Sequence, residues 1–96
     1  MRKNTREVLE AWIAKEAKGN RGESIWTDGK IIYSYNTWIL AHNPQRSGYE
    51  VNGTKYSATT SSHQNSIKEW LQLKRYVFFD RDNQPIGSNH STKEAL

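Results

Sequence analysis

Ser24-Ile-Trp-Thr-Asp-Gly-Lys-Ile-Ile-Tyr-Ser-Tyr-Asn-Thr-Trp-Ile-Leu40 decides the fold class. Asp28-Gly29 is a two-residue hairpin signal set between β-branched and aromatic runs. Ser24–Thr27 reads as a short strand, and Ile31–Leu40 as a long one broken near Asn36. Asn43–Gly48 is a loop. Beyond it, Tyr49–Val51 and Thr54–Ser57 flank Asn52-Gly53, a second signal of the same kind. Two such dipeptides between apolar runs predict an antiparallel meander.

Helical patterns lie on either side. Over 4–18, Val8, Leu9, Trp12, Ile13 and Ala17 recur at helical intervals. Asn4 with Glu7 has capping-box spacing, Lys15 and Lys18 suit the last turn, and Gly19 marks the stop. Over 61–74, Ile67, Trp70 and Leu71 make a narrow apolar face, widened by Leu73. Ser61 and Gln64 repeat the capping-box spacing. Tyr76–Phe79 is a strand, ended by the turn-rich stretch from Asp80 to Pro85. There Asp80 and Asp82 suit Asx-type turn bonds better than a catalytic pair. The prediction is a single α+β domain over 1–85. It is an antiparallel β-meander of four to five strands packed against two α-helices, in the order α-β-β-β-β-α-β. Residues 86–96 have little to bury and form a mobile tail.

A chain of 96 residues buries roughly 60–70% of its unfolded surface, enough for one modest core. Eleven aromatics offset the low apolar fraction, and Trp12, Trp26, Trp38 and Trp70 are candidate core fillers. There is no cysteine, which excludes disulfides, thiolate metal sites and cysteine nucleophiles. No apolar run reaches the ~20 residues of a membrane span. The basic start lacks the apolar stretch of a signal peptide. The expected location is cytoplasmic. The net charge of +4 is spread along the chain and permits an anionic partner.

The run Tyr56-Ser-Ala-Thr-Thr-Ser-Ser-His-Gln-Asn-Ser-Ile67 gathers hydroxyls around one imidazole where a strand passes into a helix. Free N–H groups at a helix start attract anions. With Ser61 and Gln64 assigned to the cap, Thr59, Thr60 and Ser62 remain beside Lys55 as a hydroxyl-lined anion site. No Gly-rich phosphate loop accompanies them. His63 has no orienting carboxylate close in sequence, so it reads as a surface or capping residue and not as a catalytic base. His42, His63 and His90 lack metal-ligand spacing, and neither a metal nor a cofactor is expected. Tyr33 and Tyr35 alternate along their strand and so share a face. They either pack in the core or, with Lys30, Arg46 and Lys55 nearby, stack bases.

Three stretches carry a resemblance: Thr27-Asp-Gly29, Tyr33-Ser-Tyr-Asn-Thr37 and Thr54-Lys-Tyr-Ser-Ala-Thr-Thr-Ser-Ser-His-Gln64. Together with the start Arg2-Lys-Asn-Thr-Arg-Glu-Val-Leu-Glu10, they resemble a group of small, mostly uncharacterised proteins met often in phage genomes. The resemblance implies phage or prophage origin and brings no activity with it.

The reading that follows is a non-enzymatic accessory protein that contacts nucleic acid. Tyr33, Tyr35, Arg46, Lys55, Lys74 and Arg75 would supply a basic, aromatic face. Thr59, Thr60, Ser62 and His63 would supply the helix start. The alternatives are an inhibitor of a host protein, of anti-defence type and acting in the host cytoplasm, and capture of a nucleotide. In so small a domain the last would need a homodimer to enclose the ligand.

Overall fold

A computed structural model describes residues 2–43 and 48–82. Arg46, His90 and the expected tail at 86–96 lie outside these residues. The elements follow the expected order: α1 (Lys3–Ile13), β1 (Trp26–Thr27), β2 (Ile31–Ser34), β3 (Thr37–His42), β4 (Tyr49–Asn52), α2 (Ala58–Leu73) and β5 (Phe78–Arg81). The strands form one sheet in sequence order. β1 to β4 make the antiparallel meander. β5 joins β4 in parallel, since the intervening helix α2 carries the chain back to the same end of the sheet.

Both helices cover one face. Val8, Leu9 and Trp12 of α1 and Ile67 and Leu71 of α2 pack on Ile32, Ile39, Leu40 and Val51. Burying each such side chain stabilises the fold by about 1.5–3 kcal/mol. The register slips between Ile32, opposite Leu40, and Tyr33, opposite Trp38. The extra residue, Ile39, forms a β-bulge that keeps Ile39 and Leu40 both in the core. Ile31, Tyr33, Trp38 and Ala41 cluster on the other face, which neither helix covers.

Asp28-Gly29 turns the chain as expected. The Asp28 carboxylate accepts from the backbone N–H groups of Lys30 and Ile31 at 2.8 and 2.9 Å, and the Thr27 hydroxyl donates to the Ile31 carbonyl at 2.7 Å. Gly29 adopts φ +96°, and a Cβ there would stand 3.1 Å from the Lys15 carbonyl oxygen. The break near Asn36 is a tight turn with Tyr35 at φ 54°.

Several boundaries differ from expectation. α1 starts at Lys3 with no side-chain cap, so Asn4 does not cap it. Glu7 instead lies 3.9 Å from both Lys3 and Lys18 at the surface. The helix stops at Ile13, well before Gly19, because Lys15 turns left-handed at φ 62°. The Lys15 and Glu16 N–H groups then donate to the Trp12 and Ala11 carbonyls, closing the end as a Schellman motif. α2 ends the same way, with Arg75 at φ 61°. Ala17, expected on the helix, lies in the loop that leads to the Lys18–Thr27 bridge.

Asn52-Gly53 makes no hairpin, and 54–57 is not a strand. The Asn52 side chain is buried and already engaged. Its amide donates to the Trp38 carbonyl at 2.8 Å and the Tyr56 hydroxyl at 3.1 Å, and its oxygen accepts from the Thr54 N–H. α2 begins at Ala58, capped by Ser57, whose hydroxyl accepts from the Thr60 N–H. The Ser61–Gln64 capping box is therefore absent. Gln64 donates to the Asn52 and Thr54 carbonyls at 2.8 and 3.0 Å, which ties the link to the helix. Asp80 sits in β5, 3.0 Å from Lys68, and not in a turn.

Candidate functional site

The helix-free face of the sheet carries an aromatic groove. β1 supplies Trp26, β2 supplies Tyr33 and β3 supplies Trp38, because the antiparallel register sets these positions side by side. The Trp26 and Tyr33 ring centroids are 4.4 Å apart. Tyr56, on the link into α2, closes one side with its ring exposed. Arg21, Asn36, Thr37 and Asp82 add polar atoms to the rim of a groove of about 650 Å³. The groove is pre-formed. Trp26 Nε1 donates to the Tyr35 carbonyl at 2.6 Å, Arg21 Nε donates to Asn36 Oδ1 at 3.0 Å, and Asn52 holds the Tyr56 hydroxyl. Burial, and secondarily the Asp28 charge, pushes the Tyr33 phenol up, so it stays protonated and able to donate. Beyond the groove, Glu50 is only 1% exposed, with Arg81 Nε at 3.3 Å from its carboxylate.

Under the start of α2 lies a second polar group. Ser34, at the end of β2, bonds both Thr60 Oγ1 at 3.0 Å and His63 Nδ1 at 2.9 Å. All three are buried. Thr60, His63, Gln64, Ile67 and Leu71 share the inward face of α2, so its buried stripe is polar for the first turns and apolar afterwards. Burial first, and then the nearby Arg2 charge, pushes the His63 imidazole below its ordinary value and favours the neutral ring. The Ser34 hydroxyl is 1% exposed on the sheet side of the imidazole. The pair thus orients the ring and presents no nucleophile to a substrate.

His63 is therefore buried and partnered, not the surface or capping residue that its sequence neighbourhood suggests. Thr59, Ser62 and His63 line one small cleft, while Thr60 faces the sheet beneath it. Lys55 is exposed next to Tyr56 and is not among the residues that line that cleft. Lys74 and Arg75 follow the 16 residues of α2, about 24 Å along its axis from its start, and join neither place. Tyr33 lies in the groove. Tyr35 does not share its face, because the strand ends at Ser34 and Tyr35 occupies the turn. Trp38 is buried as expected and also lines the groove. The sequence reading missed Trp26 as a groove residue, having taken every tryptophan for core. It missed Ser34 because the contact with His63 spans 29 positions. Among the described residues no group of three His, Asp or Glu side chains gathers to hold a metal, and no helix is long and apolar enough to cross a membrane.

A family of unknown function, DUF8033, matches residues 4–81. The chain belongs to that family. No curated protein and no solved structure matches it. The DUF8033 match runs from α1 to β5 and so takes in the sheet, the groove and the start of α2 together.

Proposed function

We propose that this protein binds single-stranded nucleic acid across the helix-free face of its sheet. The observation that carries this reading is the pre-formed groove lined by Trp26, Tyr33, Trp38 and Tyr56 on a face that no helix covers. Flat rings on an open sheet offer stacking platforms that accept any base. Arg21 at the rim, Lys55 beside Tyr56 and the net charge of +4 favour a polyanion over a neutral ligand. A duplex fits less well, because its bases are stacked on one another and unavailable to the rings.

Fluorescence anisotropy of labelled single-stranded DNA and RNA, with a duplex as comparison, tests the reading at two salt concentrations. Single strands bind more tightly than duplex, and affinity falls as salt rises. Replacing Trp26 or Tyr56 by alanine weakens binding by roughly fivefold to a hundredfold, the loss of one stacked base at ~1–3 kcal/mol. Absence of binding to any oligonucleotide at low salt sinks the reading. A protein recovered by nuclease-treated pull-down, in that case, would point to the groove as a protein-binding surface.

A further inference from the structure

The first turns of the two helices meet. Arg2, at the N-cap of α1, and Thr5 of its first turn line a cleft of about 260 Å³ with Thr59, Ser62, His63 and Ser66 of α2. No acidic residue stands in the first turn of either helix, and no side chain caps α1. The positive ends of two helix dipoles and the Arg2 guanidinium therefore converge on one small space.

Helix ends alone would prove little, but two buried side chains also bring unpaired hydrogen-bonding atoms to the cleft. Thr5 is 3% exposed, and its hydroxyl has no hydrogen-bond partner among the described residues. His63 is 7% exposed; Ser34 takes its Nδ1, while its Nε2 has no partner among the described residues. Burying an unpaired polar group costs free energy, so each is an unfilled hydrogen-bonding position.

The hydroxyl chain behind the imidazole engages Nδ1 and leaves Nε2 to the cleft. Ser57 Oγ reaches Thr60 Oγ1 at 3.4 Å, Thr60 Oγ1 reaches Ser34 Oγ at 3.0 Å, and Ser34 Oγ reaches His63 Nδ1 at 2.9 Å. Each hydroxyl has one proton. A bound oxyanion selects the neutral tautomer with its proton on Nε2, in which Ser34 donates to Nδ1 and Thr60 to Ser34. The cleft is thus lined by Nε2 of His63, four hydroxyls and a guanidinium, with no carboxylate among its lining residues.

We infer that this cleft is a binding site for a phosphate-type oxyanion, separate from the aromatic groove and sharing no residue with it. Tetrahedral phosphate suits donors that arrive from two helices and from several directions, where a planar carboxylate would leave some of them unused. The phosphate could be free or the terminal group of a nucleotide.

Titrating the full chain with inorganic phosphate, and separately with adenosine 5′-monophosphate, tests this by ¹H–¹⁵N spectra at constant ionic strength balanced with chloride. Saturable shifts are expected at the amides of Ala58, Thr59 and Ser62 and at His63 Nε2. Tighter binding of the nucleotide identifies a nucleotide as the source, and equal binding identifies free phosphate. Arg2→Ala and Ser62→Ala are surface changes that leave the core intact. Each weakens binding, Arg2→Ala by about tenfold as expected for a charge-assisted bond. Lys74→Ala removes the same charge at the far end of α2 and leaves binding within about twofold. Shifts that do not saturate at millimolar phosphate, or equal losses in Arg2→Ala and Lys74→Ala, overturn the inference. Neither result bears on oligonucleotide binding by the groove.

Discussion

The two faces of the sheet handle polar and aromatic residues in opposite ways. On the covered face, Ser34, Thr60 and His63 are buried and bonded to one another. They continue the apolar core and fix where α2 begins. On the open face, Trp26, Tyr33 and Tyr56 bring large rings to the surface that no helix covers. A domain of this size gains most by putting its tryptophans inside, as it does with Trp12. Rings held on an open face by specific hydrogen bonds suggest a surface kept for a ligand. Residue type alone therefore does not separate core aromatics from groove aromatics in this chain.

The sharpest way to break that comparison is to remove one tryptophan from each face. Trp12 is fully buried, and its Nε1 donates to the Lys30 carbonyl at 2.8 Å. Trp12→Ala costs about 3–5 kcal/mol and leaves that carbonyl without its partner. Trp26→Ala costs only about 1–2 kcal/mol, because the side chain is only partly buried, yet it weakens oligonucleotide binding. Urea midpoints and anisotropy on the same two variants separate the effects. If Trp26→Ala destabilised as much as Trp12→Ala, the open face would be a second core.

Smaller effects test the covered face. Ser34→Ala removes both bonds of its hydroxyl and leaves the buried His63 Nδ1 without its partner, at a cost of about 1–3 kcal/mol. Ser62→Ala, one residue from His63 and exposed, changes stability by less than about 0.5 kcal/mol. Equal losses would mean that the buried triad contributes nothing particular.

Acid adds a further test of the same face. Burial lowers the proton affinity of both His63 and His42, with Arg2 and Lys15 adding to it respectively. The unfolded chain takes up these protons near pH ~6.5. Below that value, down to the lower folded titrations, the unfolded state holds more protons. Stability is therefore complete above about pH 6.5 and declines as pH falls through that window. Thermal melts across it should show this decline, and His63→Gln should flatten it. An unchanged slope would show that His63 titrates as a solvated ring.

Much of the fold is legible in the sequence. Asp28-Gly29 and the break near Asn36 place β1 to β3, and the alternation of apolar residues selects the α+β class. Asn52-Gly53 misleads because its Asn side chain bonds to Trp38, Tyr56 and Thr54, which leaves the dipeptide no freedom to turn a hairpin. The start of α2 misleads for a related reason. Ser57, Ser61 and Ser62 are equally good caps, and apolar periodicity begins only at Ile67. The helix is legible from Ser57 only if Thr60, His63 and Gln64 are counted as buried, and their partners lie on distant strands. Trp26 is equally opaque, since a tryptophan on a strand carries no mark of which face a helix will cover.

Arg75 gives the smallest and most discriminating prediction. As a basic residue after a helix, it reads from sequence as a contact for nucleic acid. In the structure it is the left-handed residue that closes α2, at φ 61°, and its N–H donates to the Gln72 carbonyl. An L side chain in that conformation is strained, whereas glycine is not. Arg75→Gly should therefore raise stability by about 0.5–1 kcal/mol. It also removes one positive charge distant from the groove, so oligonucleotide affinity should change by less than about twofold at moderate salt. A large loss of binding with unchanged stability would return Arg75 to the interface and extend the binding surface to the far end of α2. A gain in stability with binding intact would leave the groove of Trp26, Tyr33, Trp38 and Tyr56 as the surface to pursue.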